Sequence, residues 1–360
     1  MKLLYTYLLR QFVQTLVFAI IALCVIFLIV NLLESLDTFL DHNATFEIIA
    51  EYYLYFFPEI LKLLTPIAVL LATLFSVGRL STNNEITAMK SGGMSLYKII
   101  LPLAIFSFFL SFGHLYFNGW LVPEANKIKN DIAQKYLHQG GRSSSIYNLY
   151  FRDSPQRNVV MYYYDSKKKV GTRVSFEDYT NNKKPRLLYR VEAMKMEWDS
   201  TANTWKMIDA ISRSFENNSV RTIKYDTLEV DLNISHNQIL QLKKTPDEMD
   251  FDEQKESIAI MQQGGKNVRK QMIEYYGNYA FPFANLIVVL FGVPFASIKK
   301  KGGIAIQIGA AMGISFIYLI FTKVSQTIGY NYDINPILAG WMANILFLIG
   351  GIFNLFKTRT

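Results

Sequence analysis

The sequence predicts a membrane protein of mixed class: six α-helical spans in two groups of three, with a β domain inserted between the groups. Three observations carry this. Six stretches stay apolar for about 20 residues, the length of helix that crosses a hydrocarbon core. The short connections between them alternate in charge. The one long connection, near 121–270, turns strand-rich and holds 25 of the 37 basic and 20 of the 29 acidic residues. The 51% hydrophobic content of the 360-residue chain therefore averages two chemistries, and it is rich for a soluble domain.

The spans fall near 12–33, 54–77, 99–120, 276–298, 304–324 and 337–356. Lys2 and Arg10 precede the first. Arg79, Lys90 and Lys98 separate the second from the third, Lys299, Lys300 and Lys301 separate the fourth from the fifth, and Lys357 and Arg359 follow the last. The alternate connections, 31–50 and 325–335, lack lysine and arginine and carry Glu34, Asp37, Asp41, Glu47 and Asp333. Basic residues in short loops stay on the cytoplasmic side. Both termini are therefore expected in the cytoplasm, and the insert outside. The first run reads as a span and not a cleavable signal: it is too long, lacks a small-residue cleavage site, and leads to acidic residues and another span. Part of the net charge of +8 is then a cytoplasmic collar facing anionic headgroups. Nucleic acid is not the expected partner of a basic domain outside the membrane.

Within the insert, 157–165, 186–198, 205–215 and 220–232 are rich in β-branched and aromatic residues. Turn chemistry separates them at Asn181-Asn182, 200–203 and Asn217-Asn218. The alternation slips phase in the second run, from Tyr189, Val191 and Ala193 to Met194, Met196 and Trp198. Such a slip predicts a bulge or bend. Antiparallel strands without helical crossovers imply a sandwich or jellyroll. Cys24, the only cysteine, lies in the first span, so the insert must fold on its core alone. A helix capped by Asp250 or Asp252 and ended by Gly264-Gly265 follows, either a rigid connector or a moving lever. The expected division is thus 1–123, 124–249, 250–265 and 266–360.

The chain carries no sign of catalysis. No phosphate-binding Gly-x-x-x-x-Gly-Lys run occurs, and no serine sits in a Gly-x-Ser-x-Gly turn. His42, His114, His138 and His236 are scattered, with none at metal-ligand spacing, and His114 falls near the outer end of the third span. No cofactor is expected on this chain. The spans hold few ionisable groups, among them Glu59, Lys62, Glu274 and Lys323.

The connection 79–98 is more informative. Thr82-x-x-Glu85 has the form of a capping box and Gly92-Gly93 a stop, which predicts a helix over about 82–91. A helix so short is marginal in water, so the bilayer or a partner must hold it. Glu85 either satisfies its own helix start or offers an anion to a cytoplasmic protein.

The run 83–95, Asn-Asn-Glu-Ile-Thr-Ala-Met-Lys-Ser-Gly-Gly-Met-Ser, resembles the signature loop of the LptF/LptG family, the permease subunits of the lipopolysaccharide exporter. Thr245-Pro246-Asp247-Glu248-Met249 is similar to that family's Pro-Glu-Glu-Met step. Phe281-Pro282-Phe283-Ala284 and Gly292-Val293-Pro294-Phe295-Ala296 resemble its fourth span. The resemblance implies a periplasmic β-jellyroll and a multi-pass location in the bacterial inner membrane. It also implies a heterodimer with a homologous permease subunit, a cytoplasmic ABC ATPase dimer that uses the ATP, periplasmic jellyroll bridge proteins, and lipopolysaccharide as substrate. Glu85, with Thr82 and Met89, would meet the ATPase, and Pro58, Pro66 and Pro102 would bend the transmitting spans.

Lys62 costs about 2.5–3.5 kcal/mol inside a membrane unless it snorkels or pairs. Glu59 lies one turn away on the same face. Either the two form an inert ion pair, or Lys62 meets a lipid A phosphate with Glu59 as resting counter-ion; Lys323 is a weaker candidate contact, because snorkelling explains it easily. The strand residues Tyr162–Tyr164, Met194, Met196, Trp198, Trp205 and Met207 form either an acyl-chain slot or an ordinary core. Two other classes are open on pattern alone: a mechanotransmitting ABC subunit, or a membrane-anchored scaffold, neither carrying lipid.

Overall fold

The computed structural model describes residues 2–137, 145–181, 185–216, 219–241, 244–263, 265–297 and 303–357. His138, Asn182, Asn217, Asn218, Gly264, Lys299, Lys300, Lys301 and Arg359 lie outside them. The chain divides into two units, Met1–Leu137 with Arg269–Thr360, and His138–Val268. The boundary expected at 123/124 is thus displaced by about one helix: the third span's helix does not stop where its apolar run stops. The connecting helix belongs with the sheet.

Six helices of the first unit are long and apolar enough to cross a membrane, among the described residues. α1 is Lys2–Asp41 and α2 Phe46–Thr82; a short α3, Glu85–Ser91, follows. The third span is α4, Leu96–Tyr116, a π-helical turn Phe117–Leu121, and α5, Val122–Tyr136. α2 runs unbroken through Pro58 and Pro66, and α4 through Pro102. α2 is the axis of the unit. Its span is 72% buried against 17% for α1. Ala68, Leu70, Leu74 and Val77 of α2 pack with Leu8, Phe12 and Leu16 of α1, Ile99 and Leu103 of α4, and Val289 and Val293. Small residues permit the closest crossings, as is usual where lipid removes the hydrophobic drive between helices. A Cβ on Gly340 would stand 2.8 Å from the Gly277 backbone nitrogen.

In the second unit six strands form one antiparallel sheet in chain order: β1 Ser145–Arg152, β2 Arg157–Asp165, β3 Val170–Tyr179, β4 Leu187–Asp199, β5 Thr204–Glu216 and β6 Ser219–Val230. The four strand runs expected are β2, β4, β5 and β6; β1 and β3 are additional. Each carries a residue that spoils local strand propensity, Asn148 in β1 and Gly171 in β3, and cross-strand pairing overrides it. Consecutive short turns leave a meander, simpler in order than the interleaved strands of a jellyroll.

The phase slip expected in β4 is present, and it crosses the whole sheet. Pairing keeps one register on both sides of a single row, Met161↔Val174 and Tyr163↔Thr172 on one strand pair, Ala193↔Ala210 and Lys195↔Ile208 on another. In the row itself, Asn148, Tyr162, Arg173, Met194, Asp209 and Asp226, the ladder lapses. Asn148, Arg173 and Asp209 adopt φ of 51°, 51° and 52°. Across it the spacing of buried residues changes from two to three: Met161 to Tyr164, Gly171 to Val174, Ala193 to Met196, Met207 to Ala210. A left-handed residue on alternate strands rotates the pleat, so one face stays apolar on both sides of the crease.

That face is the core. It buries Met161, Tyr164, Val191, Met196, Trp205 and Met207, and Ile234, Ile239 and Ile260 lie in the same cluster. Of the suggested acyl-slot residues, Tyr164, Met196, Trp205 and Met207 are therefore core, while Tyr162 and Met194 are exposed. Asp250 caps the connecting helix, here α7, Phe251–Gln263, after a short α6, His236–Gln241. Asp250 Oδ1 accepts the Glu253 amide at 2.8 Å, and Glu253 accepts the Asp250 amide in return. Burial, reinforced by Lys169, pushes the His236 imidazole below its usual range, and its ring Nδ1 is hydrogen-bonded to the Tyr164 hydroxyl.

The last three spans begin at α8, Arg269–Ala280, continued after a 3₁₀ turn, Phe281–Phe283, by α9, Ala284–Ser297. α10, Gly303–Asn331, and α11, Pro336–Lys357, complete the unit. Arg269 holds the end of α10, its Nε donating to the Gly329 carbonyl at 2.6 Å and its Nη1 pairing with Asp333 at 2.7 Å.

Candidate functional site

Three places in the fold carry chemistry beyond packing. The first is α3. The helix start expected at Thr82 is one turn late. α2 absorbs Thr82, whose hydroxyl donates back to the Gly78 carbonyl at 2.9 Å, so no capping box forms. Asn84 instead turns the chain at φ 63°, and α3 begins at Glu85 without a side-chain cap. The Glu85 carboxylate faces other side chains: Oε2 accepts the Tyr7 hydroxyl of α1 at 3.1 Å, and Oε1 accepts Asn83 Nδ2 at 3.3 Å. Ile86 is buried in the α1–α2–α4 core with Met89 at its border. Thr82, Thr87 and Ala88 are exposed. α3 is thus a seven-residue helix fixed by one apolar anchor and presenting one side outward.

The second is a polar belt through the helical unit. Glu59 has a partner beyond its own helix. It accepts Lys129 of α5 at 2.5 Å, and Lys129 also lies 5.3 Å over the Phe56 ring. Lys129 is largely buried, its side chain 11% exposed. The partner was invisible in sequence because it sits 70 positions away, in a stretch read as part of the insert. Lys62 is half-buried beside His114. His114 itself is buried, with Nδ1 3.1 Å from Asn285 Nδ2. Lys323 stands apart, exposed on α10.

The belt continues at the break in the fourth span. Pro282 has no N–H to give the Asn278 carbonyl. Asn118 Nδ2, from the π-helical turn, donates to that carbonyl at 3.0 Å. Asn344 Nδ2 of α11 donates to the Ala280 carbonyl at 2.5 Å, and its Oδ1 accepts the Tyr318 hydroxyl at 2.6 Å. Backbone polar groups at membrane depth must be satisfied inside the protein. Two asparagines do this for the 281–284 motif, and the motif alone gave no sign of them.

The third place is the sheet. Its two edges differ. β1 borders a cleft of about 400 Å³ against α7, lined by Leu149, Phe151, Ile234, Ile260 and Met261, with Arg152 and Lys266 beside them. β6 has no further strand on its outer side among the described residues and exposes Val220 and Ile223. The 245–249 step forms a 3₁₀ turn, Pro246–Glu248, with Glu248 fully buried.

Comparison with known proteins bears on all three. Residues 6–357 match the family described as lipopolysaccharide export system permease LptF/LptG. Over 305 residues the chain is 18% identical to the lipopolysaccharide export system permease protein LptG of Haemophilus influenzae, with 81% of each chain covered. The matched residues include all of α3, the inserted sheet and the asparagine-mended break: the chain belongs to the LptF/LptG family of lipopolysaccharide export system permeases.

Proposed function

We propose that this multi-pass protein works as one of two homologous permease subunits that lift lipopolysaccharide out of the inner membrane and pass it to a periplasmic bridge, driven by a separate cytoplasmic ATPase dimer. Both termini and α3 lie in the cytoplasm, and the sheet lies in the periplasm. The observation that carries this reading is the state of α3. Its acidic residue is not spent on capping its own helix, and Thr87 and Ala88 on its outward side are exposed. That side fits an ATPase groove, with Glu85 as the anionic contact and Thr82 and Met89 flanking it. The chain supplies no ATP site; the nucleotide belongs to the partner.

Lys62, half-buried beside His114 within the helical unit, is the favoured contact for a lipid A phosphate. Lys323, exposed on α10, is the weaker contact. At the sheet, the open edge of β6 favours strand addition by a bridging protein, main-chain hydrogen bonds giving affinity.

Depletion tests the function directly. Lipopolysaccharide is expected to accumulate in the inner membrane when this protein is withdrawn; undisturbed delivery to the outer membrane would remove the transport reading. Within the transporter, Lys62→Ala is expected to lower lipopolysaccharide-stimulated ATP hydrolysis more than Lys323→Ala, by roughly tenfold for a charged contact of about 1.5 kcal/mol. Equal, negligible effects would leave both lysines structural.

A further inference from the structure

α1 is held in the helical unit unevenly. Leu8, Phe12 and Leu16, spaced by four along one face, are buried at 2%, 0% and 4% in the cluster that also holds Ile86 of α3. Farther along, Phe18, Ile21, Ile26, Ile29 and Leu33 are exposed. The start of α1 therefore shares one cluster with α3, whereas Cys24 and Phe39 farther along are buried in separate clusters. Leu4 of α1 and Met89 of α3 border the same cluster.

At that point Tyr7 reaches 78 positions along the chain to Glu85, hydroxyl to Oε2 at 3.1 Å. An exposed hydrogen bond of this kind adds little to stability. Its geometric effect is larger. α3 has seven residues and lacks a side-chain cap, so the orientation of Glu85 is set by what its two oxygens accept, and Tyr7 is one of the two.

We propose that Tyr7 is the positioning residue that ties α3 to the first span: it sets the Glu85 carboxylate for the cytoplasmic partner, and through it the cytoplasmic end of α1 follows α3 when the partner moves. This rests on the reading of α3 as the docking element. The hydroxyl is the only group needed, so Tyr7→Phe separates the tie from the packing.

The test uses the full transporter complex in lipid nanodiscs and proteoliposomes, with wild type, Tyr7→Phe and Glu85→Ala compared. A spin label is carried at Leu3→Cys, which is exposed, in a Cys24→Ala background. Glu85→Ala is expected to lose ATPase copurification. Tyr7→Phe is expected to keep it within about twofold, yet to lower lipopolysaccharide extracted per ATP hydrolysed by about fivefold, the net weight of one ordinary hydrogen bond. The spectral change of the Leu3 label on vanadate trapping of ATP should fall at least as far as extraction does. A purely structural tyrosine would leave that change intact. Wild-type label response and wild-type extraction per ATP in Tyr7→Phe, with Glu85→Ala still failing to copurify, overturn the inference alone. Undiminished copurification of Glu85→Ala overturns the docking reading, and this inference with it.

Discussion

Glu85→Lys is expected to abolish copurification of the ATPase and, with it, lipopolysaccharide export, while the protein itself stays folded. The structure separates these two outcomes. Glu85 accepts hydrogen bonds from the side chains of Tyr7 and Asn83, and no backbone amide of α3 depends on it. The substitution therefore leaves the helix start as it is, and surface changes of that kind fall within about 0.5 kcal/mol in stability. At an interface the same change puts a cation where an anion was read. Loss of one central contact costs 2 kcal/mol or more, roughly 30-fold in affinity. Like charges brought together add several kcal/mol. Glu85→Ala should show the first loss without the second. The check is tandem purification from membranes alongside thermal unfolding. An ATPase that copurifies at wild-type level with Glu85→Lys, from protein of unchanged melting temperature, would mean that α3 docks nothing through this residue.

Trp205→Ala is expected to unfold the inserted unit and leave the helical unit intact. Trp205 is fully buried between Trp198 and Tyr164, with ring centroids at 4.9 and 6.1 Å. Its indole N–H donates to the Ile234 carbonyl at 2.8 Å. Emptying a core tryptophan site costs about 3–5 kcal/mol, and the orphaned carbonyl adds about 1–3 kcal/mol. A domain stable by about 5–15 kcal/mol loses much of its margin. Nothing else staples this unit, since the only cysteine lies in α1. Limited proteolysis of the full-length protein reads the result: cleavage within 145–263 with the spans preserved. Trp205→Phe, which keeps most of the packing and loses the hydrogen bond, should resist cleavage far better. Equal resistance of all three proteins would place the core elsewhere.

Particular residues show how much of this was legible in advance. The cap of α7 was readable as Asp250 or Asp252, and Asp250 makes it, because a cap is decided within four residues. Thr82 announced one incorrectly, because α2 packs deeply enough to carry its helix past that threonine and the chain turns at Asn84 instead. The phase slip at Met194 was readable on one strand. That five other strands crease along the same row was not, because Asn148, Arg173 and Asp209 look like interruptions until the pairing aligns them. Glu59 meets Lys129, 70 positions away, a contact that the one-turn spacing to Lys62 could not announce. The 281–284 motif marked the fourth span; its break, and Asn118 and Asn344, which mend it, carried no mark.

The sequence by itself determined where the six spans lie and where the sheet is inserted, because burying an uncharged run in lipid is a sum over neighbouring residues and needs no knowledge of the fold. Tertiary structure alone decided which polar groups meet: Glu59 with Lys129, Asn118 with the Asn278 carbonyl, Tyr7 with Glu85. Those contacts join residues far apart in the chain, and a hydrogen bond is worth having only at about 3 Å, a distance that packing sets and composition does not.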